Sequence, residues 1–250
     1  MKIFTCEPTL EAMLTCIHVA WSSRLGHKNI GLMLEPIYQY TLFDEYIHVD
    51  PDEKKVNSII DAVNLKISPY FFTQMAYSSM AYEPDILENI YHCMILGFHL
   101  GPRVLEMVQY EDIMQNQLIR TRLGREINRF QEVLRFHKLG EIYIAHFEPK
   151  SRICAALGPI FEDRLPSEHW MIVDDLHREA VIHVKDQPFY LQKLTEEEVR
   201  RLLESDSVND EYTRMWKTFF NSVAIKERTN KKLQQSLFPA WARKHAAEFN

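Results

Sequence analysis

Apolar positions along this 250-residue chain switch between two patterns, helical spacings of three and four and short near-continuous runs. Residues 2–6 (KIFTC) are apolar and β-prone and predict an opening strand. Over 7–24, Leu10, Met13, Leu14, Ile17, Val19, Ala20 and Trp21 recur at helical spacing. They predict a helix with one buried face, with Glu7-Pro8 in its first turn and Gly26 at its end. Residues 30–34 and 47–49 are short apolar segments that suggest strands. Asp50 is the expected cap of a helix carrying Val56, Ile59, Ile60 and Val63, with Pro51 at its first position and Glu53 reaching back as in a capping box. Two more helices are predicted over 69–79 and 84–100, bounded by Ser68-Pro69 and by Gly101-Pro102.

The second half alternates more sharply. Residues 109–138 form the longest helical run, with Ile119, Leu123, Ile127, Phe130 and Leu134 as its core-facing stripe and Gly140 at its end. The segment 141–148 (EIYIAHFE) reads as a strand buried on both faces, stopped by Pro149. A short helix over 152–164 follows. Then 169–174 and 178–184 read as a β-hairpin joined through Asp175-Leu176-His177, and 188–194 adds a further strand. Thr195 and Glu198 make a capping box for a charged helix to about residue 205. Asn209 caps a helix running to 224, and 231–249 is a last helical region broken at Pro239. The expected class is a helix-rich α+β protein with a small, mostly antiparallel sheet in its second half. With no visible linker, 1–250 is expected to be a single compact domain, subdivided into an acidic helical part (1–112) and an α+β part with basic segments (113–250).

Composition sharpens this picture only through its charge. The formal net charge is −6, which argues against a dedicated nucleic-acid coat protein. Residues 1–112 hold 7 Lys+Arg against 15 Asp+Glu, whereas 113–250 hold 22 against 20. Two segments are distinctly basic. Residues 117–138 carry six Lys+Arg against two Glu, and 214–244 carry eight against one. Such patches can meet phosphate even on an acidic protein. No apolar run is long enough to span a membrane, and the start lacks the h-region and cleavage site of a signal peptide. A cytoplasmic protein is expected.

Cys6, Cys16, Cys93 and Cys154 are scattered singly, the pattern of small buried residues in a reducing compartment. No glycine-rich nucleotide loop, metalloprotease pair or nucleophile elbow occurs, so no cofactor is expected and no metal site is assigned, although two carboxylates and an Arg at one sheet end could bind a metal or work as acid and base. Asp174, Asp175, His177 and Arg178 fall at the hairpin turn, with Glu148 ending the neighbouring strand. Glu148, Asp174 and Arg178 are therefore candidate catalytic groups at one sheet end, although Asp at a turn is also ordinary turn chemistry. Arg122, Arg125 and Arg129 share a face of the long helix, which suits either a phosphate-facing surface or a solvated one. Trp216, Phe219 and Phe220 interleave with cations in the last quarter. That pattern suits stacking on single-stranded nucleic acid, or simply a core stripe.

Several of these stretches resemble one bacterial family. They are RFQEVLRF at 129–136, IYIAHFEP at 142–149, FEDRLPSEHWMIVDD at 161–175 with Arg178, and WKTFFNSVAIKERTNKKLQ at 216–234. LEAMLTCIHVAW at 10–21 and DPDEKKVNSIIDAV at 50–63 extend the likeness over the chain. The family is a domain of unknown function associated with DNA metabolism. Its members typically stand beside a radical SAM protein and are sometimes fused to a uracil-DNA-glycosylase-like domain. The chain departs from the family pattern at Glu7-Pro8 and at Trp241-Ala242-Arg243. Residues matching the motifs are Arg129, Arg135, Trp170, Asp174, Arg178, Trp216, Arg228 and Asn230. The resemblance implies an accessory protein of DNA metabolism or repair that binds DNA or a radical SAM partner, and the cations interleaved with aromatics in the last quarter favour single strands. Arg122, Arg125, Arg129, Arg135, Arg228, Asn230, Lys231 and Lys232 would be its nucleic-acid-binding residues. Two alternatives stay open: an enzyme acting on a nucleic-acid or nucleotide substrate, and a structural adaptor that touches no DNA.

Overall fold

The computed structural model describes residues 1–205 together with 214–215, 218–219, 222, 232 and 244–245. Most of the two helical regions expected after residue 209, with the stacking aromatics Trp216 and Phe220, lies outside the described residues. The chain divides into two compact units, Met1–Leu123 and Gly124–Asn250. Among the described residues the class is α+β, as the periodicity indicated.

Unit 1 opens on β1 (Lys2–Cys6), α1 (Leu10–Ser22), β2 (Ile30–Leu34) and β3 (Glu45–His48). These strands form a parallel sheet in the order β2-β1-β3. These strands fall at or beside the expected 2–6, 30–34 and 47–49, so the part labelled helical also holds a sheet. Its strands are too short for a clear period, and β1, buried from Ile3 onward, shows no alternation. Helices α2 (Glu53–Lys66), α3 (Pro69–Ser78) and α4 (Ile86–Leu100) complete the unit. Two caps differ from expectation. Thr9 rather than Glu7-Pro8 opens α1, its hydroxyl accepting from the Ala12 amide. Asp52 rather than Asp50 opens α2, accepting from the Lys54 and Lys55 amides. Each is the last residue with extended backbone before the helix, which is what capping requires. The core gathers Phe4, Met13, Ile17, Phe71, Met75, Leu87 and Met94.

The helix α5 (Glu111–Val133) ends five residues sooner than the sequence suggests. Phe136–Leu139 is instead β4, paired antiparallel with β5 (Ile142–Phe147) through the two-residue connection Gly140-Glu141. Gly140 has φ +62°, so its role is the hairpin turn rather than a helix end. Arg135 donates to the carbonyls of Glu132 and Leu134 (3.0 and 3.2 Å) and closes the last turn of α5.

Unit 2 continues through α6 (Cys154–Arg164), β6 (His169–Asp174), β7 (Glu179–His183), β8 (Tyr190–Lys193) and α7 (Glu196–Ser205). Its sheet has the order β4-β5-β6-β7-β8 and is antiparallel except between β5 and β6. That pair is parallel because α6 carries the chain back across the sheet. Trp170 on β6 is fully buried, stacks on His183 at 5.0 Å and donates its indole N–H to the Leu165 carbonyl. Phe130 meets Phe147 edge to face at 5.0 Å. The capping box at α7 forms as read, with Thr195 and Glu198 exchanging side-chain and backbone bonds.

One buried carboxylate fixes the exit from β5. Glu126 on α5 accepts from the amide of Lys150 (2.7 Å) and from the amide and hydroxyl of Ser151 (3.4 and 2.7 Å). Glu126→Ala leaves the buried Ser151 amide and hydroxyl without this acceptor and is expected to cost about 2–3 kcal/mol in chemical denaturation. A loss under about 0.5 kcal/mol would contradict this role.

In unit 1, Glu35 accepts from the Thr5 hydroxyl and pairs with His48 at 2.7 Å. The Thr5 hydrogen bond first, then His48, holds the Glu35 carboxyl below its usual range, and Glu35 raises His48. The pair therefore stabilises above the ordinary glutamate value and below the ordinary histidine value, roughly pH 4.3 to 6.5. Its contribution is lost as pH falls through the Glu35 pKa or rises through that of His48. His48→Gln is expected to lower the melting temperature more at about pH 5.5 than at about pH 9. Equal losses at both would refute the pairing.

Candidate functional site

In the parallel register of β5 and β6, Phe147 faces Asp174 across the pair. The next residues, Glu148 and Asp175, leave the sheet side by side. Carboxyl ends of parallel strands are where open α/β sheets place ligands. Here the convergence brings three donor groups together. Atoms of Glu148, Asp175 and His245 all lie within 4.8 Å of one another. His245 Nε2 is 3.6 Å from Asp175 Oδ2 and 3.7 Å from Glu148 Oε1. Lys244 pairs with the same Glu148 oxygen.

Behind them stands His146, on β5, whose Nδ1 lies 2.9 Å from Asp175 Oδ1. A carboxylate only accepts, so Nδ1 carries the proton and donates. Both side chains are sequestered, His146 at 1% and Asp175 at 5% exposure. His137, on β4, stacks parallel to His146 at 6.0 Å, and His245 sits 6.1 Å from it on another side. His146 Nε2, Asp175 Oδ2 and His245 Nε2 are buried and make no hydrogen bond. Burial lowers the pKa of His245, outweighing the pull of Asp175 and Glu148 in the other direction. That direction favours the neutral imidazole, the form that can act as base or ligand.

The candidates read from sequence are placed differently from one another. Glu148 is in the cluster. Asp174 is fully buried and committed to the hairpin turn. Its Oδ1 accepts from the amides of Leu176 and His177, and its Oδ2 lies 2.6 Å from His177 Nδ1. Burial nevertheless pushes its pKa up, against the His177 contact. Arg178 adopts φ +55° and reaches Glu196 at 3.7 Å. A second close group, Cys154, Asp174 and Glu179, has other commitments. Burial pushes the Cys154 thiol well up, and Arg152 pairs with Glu179 at 3.3 Å. Signals for the rest of the cluster were faint. Asp175 stood in the turn beside Asp174, but nothing in sequence separates a turn aspartate from a site aspartate, and His146 and His245 are 99 positions apart.

Of the basic set, Arg122 pairs with Glu83 at 3.3 Å within unit 1. In unit 2, Arg125 is exposed and Arg129 half-buried, Arg135 serves the helix end, and Lys232 is exposed. Arg228, Asn230 and Lys231 lie outside the described residues. Unit 1 has a separate cavity of about 340 Å³ lined by Ile17, Trp21, Ile59, Lys66, Met94 and Phe98. It holds no comparable convergence of carboxylates and imidazoles.

Unit 2 is thus a mixed sheet with a carboxylate–histidine cluster at its one parallel strand pair. The family model of a domain of unknown function, DUF4130, matches residues 84–248, and the chain belongs to that family. No curated protein matches the chain. Among the described residues, no helix is long and apolar enough to cross a membrane.

The two aspartates are expected to separate by role. Asp174→Ala should cost about 2–4 kcal/mol of stability in urea titration, because it strips the turn of its buried acceptor. Arg178→Ala should stay within about 0.5 kcal/mol, its partner being solvated. The reverse ranking would refute the assignment.

Proposed function

We propose that this chain is a nucleic-acid-directed protein of DNA metabolism whose working site is the Glu148–Asp175–His245 cluster. The observation that carries the reading is the meeting of two carboxylates and an imidazole at the carboxyl ends of β5 and β6. Such groups can orient and activate a hydroxyl or water beside a phosphate or a base. Glu148 keeps the role expected of it. Asp175 stands where Asp174 was expected, and Arg178 is turned to Glu196. The direction toward DNA is supported by the resemblance of 129–136, 161–175 and 216–234 to the DNA-metabolism family, and by exposed Arg125. Single strands are the favoured substrate, and the cytoplasm the place of action.

A second reading is an accessory protein that brings DNA to a radical SAM partner. It is favoured by the cysteines. All four are buried and only Cys6 and Cys16 lie side by side, so an iron–sulfur cluster, which takes four thiolates, would belong to the partner, not to this chain.

Fluorescence anisotropy with single- and double-stranded oligonucleotides across a salt series tests both readings. Affinity is expected to fall with salt, the slope counting neutralised phosphates. Reversing Arg125, Arg228, Lys231 and Lys232 to Glu should weaken binding at least about tenfold. Absence of binding at low salt would refute direct DNA contact and favour the structural adaptor.

A further inference from the structure

The Glu148–Asp175–His245 cluster has the composition and spacing of a cation site. Nitrogen and oxygen ligands at about 2.0–2.2 Å from a tetrahedrally coordinated ion stand roughly 3.4 Å apart. The His245 nitrogen lies 3.6 and 3.7 Å from its two carboxylate neighbours. A small contraction would centre an ion among them.

Two further observations point to a ligand. Asp175 is nearly sequestered, yet its Oδ2, directed at His245, accepts no hydrogen bond. A buried carboxylate oxygen without a donor is costly unless something positive meets it. The second is the arrangement behind it. His146 donates to Oδ1 and leaves Oδ2 facing the cluster, as outer partners orient metal-ligating carboxylates. Glu148 is 32% exposed, so the site opens to solvent on one side. Three protein ligands with an open position are the pattern of a catalytic site rather than a structural one.

We infer that Glu148, Asp175 and His245 bind a first-row divalent cation, Mn²⁺ or Zn²⁺, with His146 as the positioning residue behind Asp175. One nitrogen and two carboxylates, with no thiolate, suit these ions over softer ones. Lys244 holds Glu148 in the absence of the ion, and the cation takes its place. The inference rests on the proposed function only for the location of the working site.

Isothermal titration of the chelator-stripped full chain with MnCl2 and with ZnCl2 tests it. The expected result is one saturable site for at least one of the ions. Asp175→Asn and His245→Gln should weaken it at least about tenfold. Lys244→Gln, at an exposed position, should tighten it severalfold by removing the competing ammonium. His146→Gln should weaken it about tenfold, and His146→Asn, which keeps a donor near the Nδ1 position, should restore most of the loss. No saturable binding, or binding indifferent to Asp175→Asn and Lys244→Gln in variants with native circular dichroism, would overturn the inference. No nucleic acid is present in the titration. Its failure therefore removes the cation site and leaves DNA binding to its own experiment.

Discussion

The parallel pairing of β5 with β6 is the constraint on which the site depends. An antiparallel neighbour would send Glu148 and Asp175 to opposite ends of the sheet. Because α6 returns the chain to the same edge, both strands finish together, and their first residues beyond the ladder are both acidic. Around this pair the rest of unit 2 is antiparallel hairpins, which need only short turns. Among the described residues, the crossover in this sheet is therefore also where the carboxyl ends of two neighbouring strands lie together.

Bringing two carboxylates together has an electrostatic cost, and the surroundings show how it is met. Asp175 is held by His146 and Glu148 by Lys244, while burial favours the neutral form of His245. Asp174, one residue earlier, is spent on the turn itself, with two amides and an imidazole around it. Consecutive aspartates thus divide the work. One builds the corner, and the other projects from it. Glu126 secures the opposite side by gathering the Lys150 and Ser151 amides, so the chain leaves β5 in a fixed direction.

Much of the architecture was legible because it is written in local patterns. The stripe from Ile119 to Phe130, the β6–β7 hairpin and the Thr195–Glu198 box each follow from residues within one element. What escaped was set by longer-range pairing. The helical stripe runs on to Leu134, just past the end of α5, and the segment after it becomes a strand only because Gly140 turns it onto β5. The parallel sheet of unit 1 joins strands more than 20 residues apart, through segments too short to show a period. The site was half legible for the same reason. Glu148 and the turn aspartates could be placed at one sheet end, but only the fold brings His146 to the back of Asp175 and His245 to its front.

The central claim is that Glu148, Asp175 and His245 form one working site. Anomalous diffraction from crystals of the full chain grown with MnCl2 tests it most directly. The account predicts a single strong manganese peak among those three side chains, with His146 still bonded to Asp175. A structure in which His245 lies away from Asp175, or a peak only elsewhere on the molecule, would contradict it.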